Sequence, residues 1–231
     1  MGKPKILILD YSLDQFETPL IESAIPDGIE ILSIHVRIGE DIPEGILRQS
    51  FTHVIHSGSS LSINEEAPFT QRVIRLIRAA VGREIWQMGI CYGHQLLNKV
   101  LVGDHAIRAV PRGFEVGWKR VWFLDAARRL FDVKGDELLW QHHFDEVVEI
   151  PMWSELLATN GHTHIQAFVN FDLKLLGTQF HPEFDEAKGN AFFRKDQSLL
   201  EEHGFNLDEI LAEKPTMDSR KTFFEYFLSQ N

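Results

Sequence analysis

The chain's single cysteine, Cys91, stands in Gly89-Ile90-Cys91-Tyr92-Gly93, with a glycine two residues away on each side. That spacing belongs to a tight strand-to-helix turn that lifts a nucleophile above a sheet, where a side chain at either flank would collide with the neighbouring strand or helix. A thiol at a helix N-terminus also meets unpaired backbone N–H groups, which favour the thiolate. A buried core cysteine is the plain alternative reading. A cysteine nucleophile needs a base to take and return its proton, and a third group to orient that base. His181-Pro182-Glu183 supplies both types: proline restricts the backbone of His181, and Glu183 can reach round it to accept from the second ring nitrogen. Taken alone, the same tripeptide reads equally well as a charged surface loop. Gly58 ends a preceding strand, and its N–H together with that of Tyr92 would make a two-donor oxyanion hole; a merely flexible loop is the other reading.

These residues must be positioned by elements that the hydrophobic pattern outlines. Lys5 to Leu9, Ile29 to His35 and His53 to His56 are short apolar runs of the kind found in strands covered on both faces. The pattern predicts helices over Leu13 to Ala24 and over Gln71 to Ala80, where arginines alternate with Val73, Ile74 and Ile77. Val36 to Gln49 is irregular, and Glu84 to Val102 reads strand, turn, helix. Alternating strands and helices predict a doubly wound, mostly parallel sheet, an α/β fold. From Ala106 to Leu124 and from Val147 to Phe168, β-branched and aromatic residues alternate between turn signals, which predicts a group of antiparallel strands. Leu173 to Phe180 is again a buried strand, and it delivers His181. From Asn190 the pattern is helical, interrupted at Lys214-Pro215-Thr216. With no repeat or linker composition, the expectation is one domain over residues 1–231, with a helical tail from about residue 190.

Composition bounds the partners. Of 231 residues, 44% are hydrophobic and 25% charged, enough for a full core. A net charge of −11 gives no footprint for phosphate backbones, so no nucleic-acid partner is expected. One cysteine cannot build an intrachain disulfide framework and fits a reducing compartment. No apolar run is long enough to span a membrane, and MGKPKILILDY lacks a signal-peptide pattern, so a cytoplasmic protein is expected. Among eleven histidines, His142, His143, His162 and His164 are the candidate metal ligands, but no zinc-site spacing joins them. Neither Gly-rich nucleotide loop occurs. No metal and no cofactor are therefore expected.

Gly89-Ile90-Cys91-Tyr92-Gly93-His94-Gln95 and Gln179-Phe180-His181-Pro182-Glu183 resemble, in this order and at this separation, the two signatures of class I glutamine amidotransferase domains. Ser57-Gly58-Ser59, Glu115-Val116-Gly117-Trp118, the Gln141, His143 and Asp145 pattern, and Ile165-Gln166-Ala167-Phe168 are similar to the free-standing, γ-glutamyl hydrolase-like branch. The resemblance runs to Phe184 and more loosely through the tail, with Ser60 where members often carry proline. It implies a flavodoxin-like sheet with a small antiparallel addition. It also implies a triad of Cys91, His181 and Glu183, an oxyanion hole at Gly58 and Tyr92, and a substrate contact at Gln95. The implied reaction is hydrolysis of the γ-amide of glutamine or of another γ-glutamyl compound through a thioester on Cys91. Two alternatives stand beside a self-sufficient hydrolase: a glutaminase subunit that delivers ammonia to a separate synthetase, and a non-enzymatic cysteine-bearing sensor or scaffold. Neither the departing amine nor the role of His142 and His143 follows from these motifs.

Overall fold

The computed structural model describes residues 4–36, 42–65, 67, 69–133 and 135–231. Positions 37–41 of the stretch read as irregular lie outside the described residues; its far end forms a short 3₁₀ turn at Ile46–Gln49.

The first half alternates strand and helix as expected: β1 (Lys5–Asp10), α1 (Glu17–Ala24), β2 (Glu30–His35), β3 (His53–His56), α2 (Thr70–Val81), β4 (Trp86–Ile90) and α3 (Tyr92–Leu101). The second half carries β5 (Ile107–Ala109), β6 (Glu115–Phe123), α4 (Asp125–Leu130), β7 (Asp136–His143), β8 (Asp145–Val147), β9 (Glu155–Thr159), β10 (Ala167–Asn170) and β11 (Leu175–Thr178). Four helices follow: α5 (Glu186–Lys195), α6 (Gln197–Glu202), α7 (Leu207–Ala212) and α8 (Ser219–Ser229).

Among the described residues, nine strands form one sheet in the order β2-β1-β3-β4-β11-β10-β9-β6-β7. The five strands from β2 to β11 pair in parallel, and the rest are antiparallel. Most of the expected antiparallel group therefore continues the main sheet, and only β5 and β8 pair separately. β7 and α4 were not anticipated. The contiguous Leu138-Leu139-Trp140 hides the period-two signal of β7, because both of its faces are covered.

The alternation in β1 shows how the sheet is buried. Leu7 and Leu9 enter one core with Val73 and Ile77 of α2 and Leu96 and Leu97 of α3. Ile6 and Ile8 enter the opposite core with Ile21 of α1 and Phe223, Phe224 and Phe227 of α8. A continuous apolar run is what a strand buried on both faces requires. A third cluster joins Trp118 and Trp140 of β6 and β7 to Phe193, Leu200 and Ile210 of the tail helices.

Helix α1 starts four residues later than expected. Asp10, at the end of β1, accepts from the backbone and hydroxyl of both Ser12 and Thr18 at 2.6–2.9 Å. Those bonds hold residues 12 to 16 in a non-helical loop and satisfy one of the first free N–H groups of α1. They also turn Glu17 inward.

Candidate active site

In an open α/β sheet, ligands bind beyond the carboxyl ends of the parallel strands, near the point where strand order reverses. Here β1, β3, β4 and β11 send their C-terminal loops to one edge. Pairing of Thr178 with Ile90 aligns the ends of β11 and β4, and the Cys91 N–H donates to the Thr178 carbonyl at 2.8 Å. Cys91 and the segment leading to His181 thus leave the sheet side by side, although 90 positions apart in the chain.

Cys91 has φ 48° and ψ −101°, a region that residues with a Cβ rarely adopt and that stores strain where a side chain must be aimed. The flanking glycines permit it. A Cβ on Gly89 would lie 2.5 Å from the Gly93 carbonyl oxygen, and one on Gly93 would run into the backbone of His56. Both contacts are with backbone, so neither can yield by a rotamer change. The Cys91 side chain is buried, with its sulfur 3.9 Å from the His142 carbonyl oxygen. Burial, followed by the carboxyl groups of Glu17 and Glu183, pushes the thiol's pKa well up, against the hydrogen bond from the Tyr92 N–H. The expected bias of the α3 N-terminus toward thiolate is outweighed, and Cys91 rests as a thiol.

His181 is held from several sides. Its N–H donates to the Trp140 carbonyl at 3.1 Å, its ring meets Trp140 edge-on at 4.8 Å, and Nδ1 lies 2.5 Å from Glu183 Oε1. A donor at Nδ1 leaves Nε2 unprotonated as a proton acceptor. Burial lowers the His181 pKa to about 4, so the neutral ring prevails at neutral pH. Glu183 is fully buried, and burial beside Glu17 raises the affinity of this pair of carboxyl groups for a proton. Behind it, Ser219 donates its hydroxyl to the Pro182 carbonyl at 3.0 Å and Arg220 pairs with Asp185 at 3.1 Å. The last helix therefore braces the His-Pro-Glu segment.

Gly58 lies against this cluster, and there is no room for a side chain: a Cβ would stand 2.6 Å from His181 Cε1 and 2.8 Å from Glu17 Oε1. Glycine at this position is thus required on steric grounds that do not show in the sequence. Gln95 directs Nε2 to the Asp145 carbonyl at 2.8 Å and to Gln179 Oε1 at 3.2 Å. Cys91, Gln95 and His181 line one cavity of about 710 Å³, within the range of about 300–1,000 Å³ that holds drug-sized ligands. Leu13, Phe16, Leu61, Phe144, Phe192 and Leu199 give its walls an apolar character, while Asp145, Lys195 and Asp196 add charge.

The four candidate metal histidines do not converge. His142 lines the cavity and pairs with Asp196 at 3.0 Å. His143 also lines it, and both its ring nitrogens face oxygens at 3.0 Å, the Asp145 carbonyl and the Glu115 carboxylate. Glu115 further accepts from Asn160 and Gln166. Burial would raise its pKa, but the bonds to His143 and Asn160 hold it below the ordinary value. His162 bonds the Gly113 carbonyl and His164 approaches the Thr159 hydroxyl. Among the described residues, the group with ligand atoms close enough to share an ion is Glu17, His181 and Glu183. Sequence reasoning did not single out Glu17. Its signal was an acid placed four residues before Ile21, on the apolar stripe of α1.

The architecture is that of known amidotransferases. The chain superposes on a glutamine amidotransferase from Thermotoga maritima with a TM-score of 0.79 at 20% identity, covering 99% of this chain and 97% of that one. A glutamine amidotransferase from Methylobacillus flagellatus gives 0.76 at 21% identity, covering 99% and 92%. At those identities the likeness concerns the fold. Residues 14–198 match the family model for glutamine amidotransferase class-I, and the chain belongs to that family. A glutamine-hydrolysing GMP synthase subunit from Sulfolobus acidocaldarius is 39% identical over 109 residues, covering 47% of this chain and 56% of the relative. A glutamine-hydrolysing GMP synthase from Nostoc punctiforme is 36% identical over 192 residues, covering 78% of this chain and 31% of that protein. The chain thus spans about half the length of the first of these relatives and less than a third of the second. Among the described residues, no helix is long and apolar enough to cross a membrane.

Proposed function

We propose that the protein hydrolyses the γ-amide bond of glutamine or of another γ-glutamyl compound through a γ-glutamyl thioester on Cys91. The observation that carries this reading is the strained Cys91 facing the same cavity as a neutral His181 whose Nδ1 is tied to Glu183. In the forward step the Cys91 sulfur bonds to the γ-carbonyl carbon, and the thiol proton passes to His181 Nε2. The N–H groups of Gly58 and Tyr92 receive the developing oxyanion. His181 then gives its proton to the departing amine as the C–N bond breaks. Water attacks the thioester with His181 as base, and the thiol leaves and regains its proton. Glu183 holds the ring in the required tautomer and offsets the charge of the imidazolium. Gln95 contacts the amino-acid end of the substrate. The whole chain acts as one domain in a reducing, cytoplasmic setting, with its tail part of the catalytic unit.

A cavity of this size with apolar walls favours a γ-glutamyl compound carrying a larger amine than ammonia. The second reading, a glutaminase subunit that supplies ammonia to a separate synthetase, is supported by the glutamine-hydrolysing GMP synthases among the relatives. Release of ammonia or amine by the purified protein decides between them, measured on glutamine and on a panel of γ-glutamyl amides with Cys91→Ala as blank. Cys91-dependent turnover by the chain alone, fastest on the larger amides, is the expected result. No turnover from any of them, with Cys91 still alkylated by a glutamine-like electrophile, would move the assignment to the partner-dependent glutaminase.

A further inference from the structure

Glu17 is fully buried at the start of α1, in contact with the groups assigned to catalysis. Its Oε1 is 3.7 Å from His181 Nδ1, and one ligand atom each from Glu17, His181 and Glu183 fall within 4.8 Å of one another. Among the described residues, neither carboxylate oxygen of Glu17 meets a hydrogen-bond donor, and Glu183 Oε2 meets none either. Three orphaned acceptors in one buried cluster are costly, since a buried polar group with no partner keeps its full desolvation penalty. Both acids face His181 Nδ1, Glu183 at 2.5 Å and Glu17 at 3.7 Å. The other acid facing Glu17, Asp10, is occupied by Ser12 and Thr18.

Two like charges this close cannot both persist away from water. A single proton resolves both the charge and the orphans: an O–H on one acid donates to the free oxygen of the other. The proton belongs on Glu17. Glu183 accepts the short bond from His181 Nδ1, which favours its ionised form, whereas Glu17 has no such donor at hydrogen-bonding distance. Burial, reinforced by Glu183, accordingly pushes Glu17 well above the ordinary carboxylate range.

We propose that Glu17 is a positioning residue, a neutral carboxylic acid that donates its proton to Glu183 and so braces the His181–Glu183 pair with one negative charge shared across two carboxyl groups. This rests on the roles given above to Cys91, His181 and Glu183. The brace fixes the Glu183 carboxylate, whose Oε2 is otherwise unheld, and spares Cys91 a second ionised neighbour when the thiol gives up its proton. The sharing of a proton between acids in this way differs from a triad in which one acid alone backs the histidine.

Infrared difference spectroscopy and kinetics on the full-length protein test it together. The wild type at neutral pH should show the C=O stretch of a buried protonated carboxyl group, and Glu17→Gln should remove it. Glu17→Ala should lower kcat roughly tenfold to a hundredfold with KM little changed, the loss of one hydrogen bond to a charged group. Glu17→Gln, whose amide can donate to Glu183 in place of the acid, should recover most of that loss. A protonated-carboxyl band that survives in Glu17→Gln, or a Glu17→Gln as impaired as Glu17→Ala, would overturn the proposal. The spectroscopic arm needs no turnover. A wild type without activity on any γ-glutamyl compound would therefore count against the catalytic reading and leave the proton assignment decided by the band.

Discussion

Cys91 and His181 make a pair that is neutral at rest, and this has a kinetic consequence. A cysteine buried beside two acids gains no preformed thiolate, so in the proposed mechanism the proton moves to His181 as the sulfur attacks. What limits the reaction in acid is then protonation of His181, whose pKa burial lowers from 6.5 to about 4. Falling pH removes the base only as it passes through that lower value. Where ordinary histidine catalysis fails near pH 6.5, kcat/KM here is expected to hold down to about pH 5 and fall through about pH 4. A pH–rate profile on the best γ-glutamyl substrate checks this, and an acid limb near 6.5 would show that His181 is more exposed in solution than in this structure. Residue types and spacing singled out Cys91, His181 and Glu183 in the sequence, and the fold brings them to one place. Glu17 was not singled out, because an acid near a helix start is ordinarily a solvated partner of the helix dipole.

At the scale of elements, α8 supports the segment that carries His181 from more than thirty residues away in sequence. Phe223 is fully buried and packs against Phe131 at 4.9 Å and Phe180 at 5.1 Å. Phe180 immediately precedes His181. Phe223→Ala should cost about 3–5 kcal/mol in denaturant unfolding, the usual range for emptying such a site. If the tail belongs to the catalytic unit it should also lower kcat, because the cavity opens beneath His181. Unchanged kcat in folded Phe223→Ala would separate the tail from the site. The helical texture of the tail was legible from its amphipathic stripe, but its docking was not. That depends on Ser219 reaching Pro182 and Arg220 reaching Asp185, contacts between segments that no local pattern connects.

The whole molecule keeps several histidines uncharged inside it. Burial lowers His53, His56 and His181 to about 4 and His94 to about 3, from 6.5. Between those values and 6.5 the unfolded chain binds protons that the folded chain refuses, so stability is lost as pH falls through this window. The Glu17–Glu183 pair acts in the opposite sense. Burial raises both carboxyl groups above the ordinary 4.5, so the proton they share contributes stability that is full below 4.5 and lost as pH rises through the raised value of the pair. Four histidines outweigh the acid pair below about pH 6.5 and stop contributing above it, so the melting temperature should peak near there. Thermal melts from pH 4 to 9 test the balance; a curve still rising through pH 8 would mean that the acid pair is less desolvated than its burial indicates.

The runs KILIL, IEILSIH and HVIH, the elbow glycines around Cys91 and the buried strand before His181 determined the parallel sheet, and set Cys91 and His181 at the ends of its strands, by local sequence alone. Strand propensity, apolar periodicity and glycine's lack of a Cβ act within a few residues, which is why they can be read there. Tertiary structure decided what those residues experience. It ran the antiparallel strands on as part of the same sheet, gave His142 and His143 the separate partners Asp196 and Glu115, and turned Glu17 inward as Asp10 bonded Ser12 and Thr18 on either side of it. It also set the thiol and imidazole neutral by removing water from them. Desolvation and proton sharing depend on which distant segments close over a group, and that is a property of the packed molecule.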